Sequence, residues 1–154
     1  MDVIMLSAQN LEMLVDFEER ARVSEPDIFI DEFDRDKLKS KTLESLKNPH
    51  FTSARCMMCV DEKGLVIGRL DFAMISSFAF GGDVRVYVDW VYVLKECRHR
   101  GVAQFLFEKM EGYLKENGIN EYFLWMAENE EAQRFYRNFK GAVIERQDTL
   151  TKRL

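Results

Sequence analysis

Residues 88–106, VDWVYVLKECRHRGVAQFL, contain a change in hydrophobic period that decides the fold. Before this stretch and into its first half, apolar residues alternate, as they do along a β-strand. The alternating positions are Val84, Val86, Val88, Trp90 and Tyr92. After Gly101, apolar residues recur on one helical face. These positions are Val102, Phe105, Leu106, Met110, Tyr113 and Leu114. The pattern predicts a strand that ends near Val93, a short loop, and a helix that begins directly after Gly101.

Working outward from this junction, the patterns predict one element after another along the whole chain. The predicted elements are a strand Asp2–Leu6, a helix over 8–22 capped by Ser7, a helix Arg35–Leu46, an antiparallel meander over 51–94, the junction helix, a strand Glu121–Met126, a helix Asn129–Phe139, and one or two strands in Ala142–Leu154. The fold class is therefore α/β (α+β): a mixed, mostly antiparallel central sheet flanked by about four helices. One parallel β-α-β crossover is expected at residues 84–126, in a single domain of residues 1–154.

Composition limits the functions that this fold can serve. The 154 residues are 47% hydrophobic and 32% charged, with a net charge of −5, which argues against non-specific nucleic-acid binding. No apolar run approaches a membrane span, so no membrane partner is expected. The start of the sequence lacks a signal-peptide pattern, and only three cysteines occur, so we expect a cytoplasmic protein.

The cysteine spacing predicts neither a metal site nor a disulfide. Cys56 and Cys59 form a CxxC on a predicted strand, where residues three apart point to opposite faces. No second pair and no neighbouring histidine complete a ligand set. We expect no metal site.

The loop of the junction has the chemistry of an anion site. The first amides of a helix have no internal partner, and the helix dipole adds partial positive charge there. Gly101 allows close approach of a ligand, and Arg98 and Arg100 add full charges, so a pyrophosphate is a natural ligand. The alternative is a glycine required for packing beside two surface arginines.

Two motifs give the chain a family resemblance. Arg98-x-x-Gly101-x-Ala103, after an apolar strand, resembles the acyl-CoA pyrophosphate loop of the GNAT superfamily of N-acetyltransferases. Downstream, Asn129-x-x-Ala132-x-x-Phe135-Tyr136, followed by Gly141-Ala142, is similar to a second segment of that family. The order of strands and helices also matches, so the resemblance covers nearly the whole chain and implies a GNAT-like sheet.

The resemblance implies how acetyl-CoA, the expected co-substrate, binds. The backbone of Val91, Tyr92 and Val93 would pair with the pantetheine arm like an added strand. The amides of the loop would hold the pyrophosphate. The loop residues are Arg98, His99, Arg100, Gly101, Val102 and Ala103. Asn129 would reach the pantetheine or the acyl group, and Tyr136 would lie near the thioester sulfur.

The resemblance also implies two catalytic residues. Tyr136 would protonate the leaving thiolate, although a tyrosine in a helical stripe is also a common core residue. Asp89, on the strand before the loop, would take the proton of the amine; it is expected on the strand face of Tyr87 and Val91, opposite Val88, Trp90 and Tyr92. A carboxylate that only pairs with an arginine is the alternative, and Asp71 is a second candidate base.

The expected reaction is acetyl transfer from acetyl-CoA to a primary amine. The excess of acidic residues lies wholly in residues 1–50, which hold 12 acidic and 7 basic side chains and include the first two helices. A small cationic amine is therefore the favoured acceptor. The acids that suggest it are Glu18, Glu19, Asp27, Asp31, Glu32 and Asp34. Acetylation of a protein N-terminus or lysine, and a non-catalytic acyl-CoA-binding module, are the alternatives. A homodimer is also expected, with Phe78 and Phe80 as candidate contacts.

Overall fold

The computed structural model describes residues 1–78, 83–146, 148 and 150–153. The chain divides into two compact units, Met1–Leu124 and Trp125–Leu154. The predicted contact residue Phe80 lies outside the described residues, whereas Phe78 is fully exposed. Within the described ranges, no helix has the length and the apolar character needed to cross a membrane.

The first unit is built on one mixed sheet. Its elements are β1 (Asp2–Met5), α1 (Leu11–Ser24), α2 (Arg35–Lys47), β2 (Ala54–Val60), β3 (Val66–Ser76), β4 (Val84–Val93), α3 (Val102–Glu116) and β5 (Tyr122–Leu124). The five strands lie in sequence order, and every neighbouring pair is antiparallel except the parallel pair of β4 and β5. The predicted fold class is confirmed, including the crossover from β4 through α3 to β5.

Helices α1 and α3 cover opposite faces of this sheet. A side chain at Gly68 of β3 would meet Val102 and Leu106 of α3. The next residue, Arg69, contacts Glu18 of α1. Because successive residues of a strand point to opposite faces, the two helices lie on the two sides of the sheet. Each helix buries one apolar stripe: Leu11, Leu14, Val15, Phe17 and Ala21 on α1, and Val102, Leu106, Phe107, Met110 and Leu114 on α3.

Strand β4 contains a β-bulge at the position of the candidate base. Asp71 of β3 pairs with Trp90, but its neighbour Phe72 pairs with Val88. Asp89 is therefore the extra residue that has no partner across the ladder. Such a bulge breaks the alternation of faces.

The bulge corrects the expected distribution of side chains along β4. Trp90 shares the face of Tyr87, because their partners Asp71 and Ala73 are two residues apart. By the same argument, Val91 shares the opposite face with Val88. The prediction that Val91 lies on the face of Tyr87 is wrong. It assumes strict alternation, and the inserted residue Asp89 reverses the faces of the residues that follow it.

The starts of the first two helices differ in how well the sequence predicts them. Ser7 is not the N-cap of α1; the helix begins after Asn10, whose side chain instead bonds the Ser7 amide and the Met5 carbonyl, both at 2.8 Å. For α2, Asp34 is the N-cap and accepts a hydrogen bond from the Lys37 amide at 2.9 Å. The second boundary agrees with the prediction because a local side-chain cap determines it.

The second unit contains helix α4 (Glu130–Arg137). Phe135, Tyr136 and Phe139 are half-buried and pack on one another, with ring centroids 5.0 to 5.8 Å apart. The final strands predicted in Ala142–Leu154 are absent from residues 142–146, 148 and 150–153. Val143 and Ile144 are exposed there, so no packing supports a strand at that point.

The close approach of α3 to the sheet depends on Gly68. A Cβ at this position would lie 2.8 Å from Cγ1 of Val102 and 3.2 Å from Cδ1 of Leu106. Gly68→Ala should therefore lower the free energy of unfolding by roughly 1–3 kcal/mol through overpacking. The control is Gly112→Ala on α3, where a Cβ would meet no atom within 4 Å. It should raise stability by about 0.5–1 kcal/mol through helix propensity. Urea unfolding measures both, and equal effects would refute the close contact.

Candidate functional site

The loop between β4 and α3 turns sharply through two left-handed residues. Arg98 has an extended backbone (φ −66°, ψ 164°), His99 has φ 58°, and Gly101 has φ 77°. Glycine adopts such a φ without steric cost, and a side chain at Gly101 would meet no protein atom within 4 Å. The glycine is therefore required by the backbone turn and not by packing. The side of the loop that bears Gly101 is open.

The start of α3 leaves its first amides without a helical partner. The ladder begins with the Phe105 amide, which donates to the Gly101 carbonyl at 2.9 Å. No side chain caps this end of the helix. The amides of Val102, Ala103 and Gln104 therefore precede the ladder, beside the positive end of the helix dipole. This is the arrangement that binds phosphate groups at helix N-termini.

The two loop arginines have different environments, contrary to the expectation that both add charge to the anion site. Arg98 forms a close ion pair with Glu25, with its Nη1 3.0 Å from Oε1, and its Nε donates to the Val93 carbonyl at 3.2 Å. Its guanidinium also lies over the Tyr92 ring, 5.5 Å from the centroid. Arg100 is exposed. The charge available to a ligand is therefore that of Arg100.

Sequence reasoning missed a second cation near the loop. Arg100 and Lys63 line one open cleft of about 280 Å³, whose lining also includes Asp61, Glu62, Cys97 and Val102. Lys63 belongs to the turn between β2 and β3. A lysine in a turn is common on protein surfaces, so the sequence does not indicate that it lies near the loop. The fold brings this turn beside the loop because β3 and β4 are antiparallel neighbours.

The edge of β4 next to β5 is open beyond the bulge. The parallel pairing joins Val86–Val88 of β4 to Tyr122–Leu124 of β5 and ends there. No other strand among the described residues pairs with this edge between Asp89 and Val93. The side chains of Tyr92 and Val93 are buried, so only their backbone faces this edge. An extended ligand could pair with this segment as an added strand does.

The candidate base Asp89 is exposed within the bulge. It interacts with Tyr87 on the same strand. Burial, followed by the charge of Asp89 and a hydrogen bond with it, raises the pKa of the Tyr87 hydroxyl. Asp89 thus lies beside a neutral hydroxyl and next to the open strand edge.

Asp71, the second candidate base, is part of an ion-pair network. Both of its oxygens contact Arg69, whose Nε lies 2.9 Å from Oδ1. Arg69 also contacts Glu18 of α1 at 2.5 Å. Both oxygens are held by a guanidinium that also contacts α1, so this carboxylate helps to attach α1 to the sheet.

The remaining two candidates, Asn129 and Tyr136, belong to the second unit. Asn129 is the N-cap of α4, and its Oδ1 accepts from the Ala132 amide at 2.9 Å. This cap bond does not use its amide nitrogen, which can donate to a ligand. Burial raises the pKa of the Tyr136 phenol above its ordinary value of 10.0. The phenol is therefore neutral at physiological pH and can act as a proton donor.

Three of the six acids that suggested a cationic acceptor have partners within the protein. Glu18 pairs with Arg22 and Arg69, and Glu19 pairs with Arg35. Asp34 caps α2. The acids that remain exposed, outside the ion pairs found among the described residues, are Asp27, Asp31 and Glu32. All three lie in the connection between α1 and α2.

Comparison with known proteins identifies the family. A model described as the acetyltransferase (GNAT) family matches residues 13–141. The chain therefore belongs to the GNAT family. It is 30% identical over 104 residues to the uncharacterized N-acetyltransferase YuaI of Bacillus subtilis, covering 68% of this chain and 53% of that protein. The chain thus spans about half the length of this curated relative.

Solved structures share the fold over nearly the whole chain. An aminoglycoside acetyltransferase from an uncultured soil metagenomic sample superposes with a TM-score of 0.75 at 16% identity, covering 99% of this chain and 97% of that one. A ribosomal-protein-alanine N-acetyltransferase from Brucella melitensis biovar Abortus gives a TM-score of 0.72 at 15% identity, covering 99% and 98%. At these identities the likeness shows the fold alone.

The open side of Gly101 yields a direct test of ligand binding. Gly101→Val should abolish coenzyme A binding in calorimetry, because the side chain would fill the space over the helix amides. Gly118→Val is the matched control. Gly118 follows the other end of α3, with a similar φ of 73° and equally open space. Both variants carry the same backbone strain, so equal binding by the two folded variants would contradict the assignment.

Proposed function

We propose that the protein transfers an acetyl group from acetyl-CoA to a primary amine of a small cationic molecule by direct attack. The observation that carries this proposal is the uncapped start of α3, which lies directly after the open edge of β4. The thioester of acetyl-CoA supplies the activated acetyl group. All other contributions come from the residues of this chain.

Binding rests on the backbone of the first unit. The loop amides up to Ala103 hold the pyrophosphate, except that of Arg98, which donates to the Lys95 carbonyl at 3.3 Å; Arg100 adds a charge at the rim. The backbone of Val91–Val93 pairs with the pantetheine arm along the open edge. Main-chain pairing suits this segment because the side chains of Tyr92 and Val93 are buried, which leaves only main-chain groups at the edge. Asn129 contributes its amide nitrogen.

The chemical step needs one proton acceptor and one donor. The amine nitrogen forms a bond to the carbonyl carbon, and the carbon–sulfur bond breaks. Asp89 takes a proton from the amine, directly or through water, and the Tyr136 phenol gives a proton to the leaving thiolate. Burial raises the pKa of Tyr136 above its ordinary value, so the phenol holds its proton at neutral pH, as a donor must before the reaction.

The acceptor is inferred from the exposed acids of the α1–α2 connection. Asp27, Asp31 and Glu32 are available to attract a cation, whereas Glu18 and Glu19 are neutralised by arginines. A polyamine, an aminoglycoside or a lysine-like amine fits this pattern. The name of one structural neighbour refers to aminoglycosides and that of another to alanine of a ribosomal protein.

A thiol-release assay separates these acceptors from the alternatives. A panel of polyamines, aminoglycosides, lysine and peptide N-termini should give turnover with the small cations and less with the peptides. Greater turnover with the peptides would favour protein acetylation. Coenzyme A binding without thiol release from any amine would favour a non-catalytic module. The proposal includes a cytoplasmic location and a homodimer, which fractionation and sedimentation test.

Tyr136→Phe isolates the proton donor. The variant keeps the ring packing with Phe135 and Phe139 and deletes only the hydroxyl, so turnover should fall roughly 10²-fold while coenzyme A affinity is retained. In the wild-type protein, turnover should decline on the alkaline side only as the pH rises through the raised pKa, above 10. A change in turnover of less than threefold would show that solvent protonates the thiolate.

Asp89→Asn tests the proton acceptor. Turnover should fall by about 10² at neutral pH, with unchanged stability, because the side chain is exposed in the bulge. Asp71→Asn provides the contrast: it breaks a contact with Arg69 and should lower the melting temperature. If Asp89→Asn retains full turnover across the pH range, the base lies elsewhere.

A further inference from the structure

Glu25 joins two segments that lie far apart in the sequence. It is the C-cap of α1 and the first residue of the α1–α2 connection, residues 25–34. Its backbone carbonyl accepts from the amides of Ile28 at 3.1 Å and Phe29 at 3.3 Å, which starts the turn of that connection. Its carboxylate points the other way, toward β4 and the loop that follows.

The carboxylate of Glu25 contacts two residues of the proposed cofactor site. The Tyr92 hydroxyl donates to Oε2 at 2.6 Å, and the Arg98 guanidinium forms the bidentate ion pair described above. The side chains of Glu25 and Arg98 are only 11% and 22% exposed. These two hydrogen bonds and the charge of Arg98 lower the pKa of Glu25, although partial burial raises it. The residue is therefore a carboxylate at neutral pH.

The connection 25–34 is held to the same point by aromatic packing. Phe29 meets the Tyr92 ring edge to face, with centroids 5.1 Å apart. Arg22 lies over both Phe29 and Phe33, 4.9 and 4.8 Å from the ring centroids. The exposed acids Asp27, Asp31 and Glu32 are carried by this connection. Its position therefore depends on Tyr92, Glu25 and Arg98 together.

We infer that Glu25 is a positioning residue whose ion pair with Arg98 holds the 98–103 loop in its anion-binding conformation and couples occupancy of that loop to the connection 25–34. The pair draws the Arg98 side chain toward α1, so that the loop offers its amides and Arg100 to the phosphates. A ligand that fixes the loop backbone also fixes Arg98, then Glu25, and through Glu25 the segment with the exposed acids. This inference rests on the proposed function, because the ligand is coenzyme A.

Calorimetry with coenzyme A tests the first half of the inference. Glu25→Gln should weaken binding on the order of tenfold, within the range measured for coupled neighbours. Arg98→Gln should have a similar effect. The double variant should bind coenzyme A no more weakly than the weaker-binding of the two single variants. Glu12→Gln is the control on α1, where Glu12 pairs with Arg35 and Lys39 away from the loop. It should bind coenzyme A as the wild type does.

The dependence of affinity on salt distinguishes positioning from direct contact. Arg100→Gln should weaken binding and reduce the dependence on ionic strength, because a cation next to the phosphates is lost. The double variant Glu25→Gln/Arg98→Gln removes both charges of the pair, so it should weaken binding but leave that dependence unchanged. Reduced salt dependence in the double variant, or tighter binding in Glu25→Gln, would show that Arg98 leaves Glu25 to contact the phosphates. Either result would overturn the inference, as would unchanged affinity in folded Glu25→Gln.

Hydrogen exchange tests the coupling, first in the wild-type protein and then in folded Arg98→Gln. Coenzyme A added to the wild-type protein should protect amides of residues 98–105 and also amides of the connection 25–34. In Arg98→Gln, protection of the connection should be lost at saturating coenzyme A. Protection of the loop without the connection in the wild type would overturn the coupling alone. Absence of both, with no binding heat, would contradict the proposed function itself.

Discussion

The backbone amides at the start of α3 are the constraint on which the rest of the site depends. A helix cannot satisfy its own first amides, and here no side chain does so. The turn through His99 and Gly101 presents these amides at the end of β4 with no side chain over Gly101. An uncapped helix start costs stability unless water or a ligand satisfies it. The start of α3 thus has unpaired amides that a bound anion can satisfy by hydrogen bonding.

The bulge in β4 shapes the other end of the site, opposite the unpaired amides of α3. One extra residue in the strand frees Asp89 from the ladder and places it at the level where the pairing with β5 has just ended. Open strand edges are normally a liability because they invite pairing with another chain. In β4, the open length is short, from Asp89 to Val93, and it leads directly into the loop. A ligand with an extended arm and a terminal diphosphate suits that sequence of features.

The extent to which the sequence predicts this arrangement follows from the range of each interaction. The element order, the mixed sheet and the family are confirmed, because hydrophobic periods and the two motifs are local signals. The site residues of the loop and of β4 are adjacent in sequence, so their proximity was also predictable. The bulge is not predicted, because the hydrophobic pattern of a strand with one inserted residue is almost the same as that of a regular strand. The final strands were wrongly expected, because Val143 and Ile144 have a strand-like composition but remain exposed.

Pairs that are distant in sequence account for the remaining differences. Glu25 and Arg98 are 73 residues apart, and Glu18 and Arg69 are 51 apart. No composition rule distinguishes such acids from those that face solvent, so the sequence-based expectation of an acidic region for the acceptor includes Glu18 and assigns no role to Glu25. In the structure, Glu18 and Glu25 are used to attach α1 to the sheet and to the loop.

The negative charge left exposed between α1 and α2 is therefore smaller and more localised than the composition suggests. A small amine would meet a few carboxylates on one segment, and not the broad acidic face that the first 50 residues imply. Asp27, Asp31 and Glu32 all lie in a connection with no regular secondary structure. Its geometry is fixed mainly by its contacts with Arg22, Tyr92 and the backbone of Glu25. Acceptor recognition in such an arrangement depends on how firmly those contacts hold the connection, and the same Tyr92 belongs to the strand edge proposed to bind pantetheine. Under the proposed function, one shared cluster of side chains therefore sets the positions of both the acceptor and the acetyl donor.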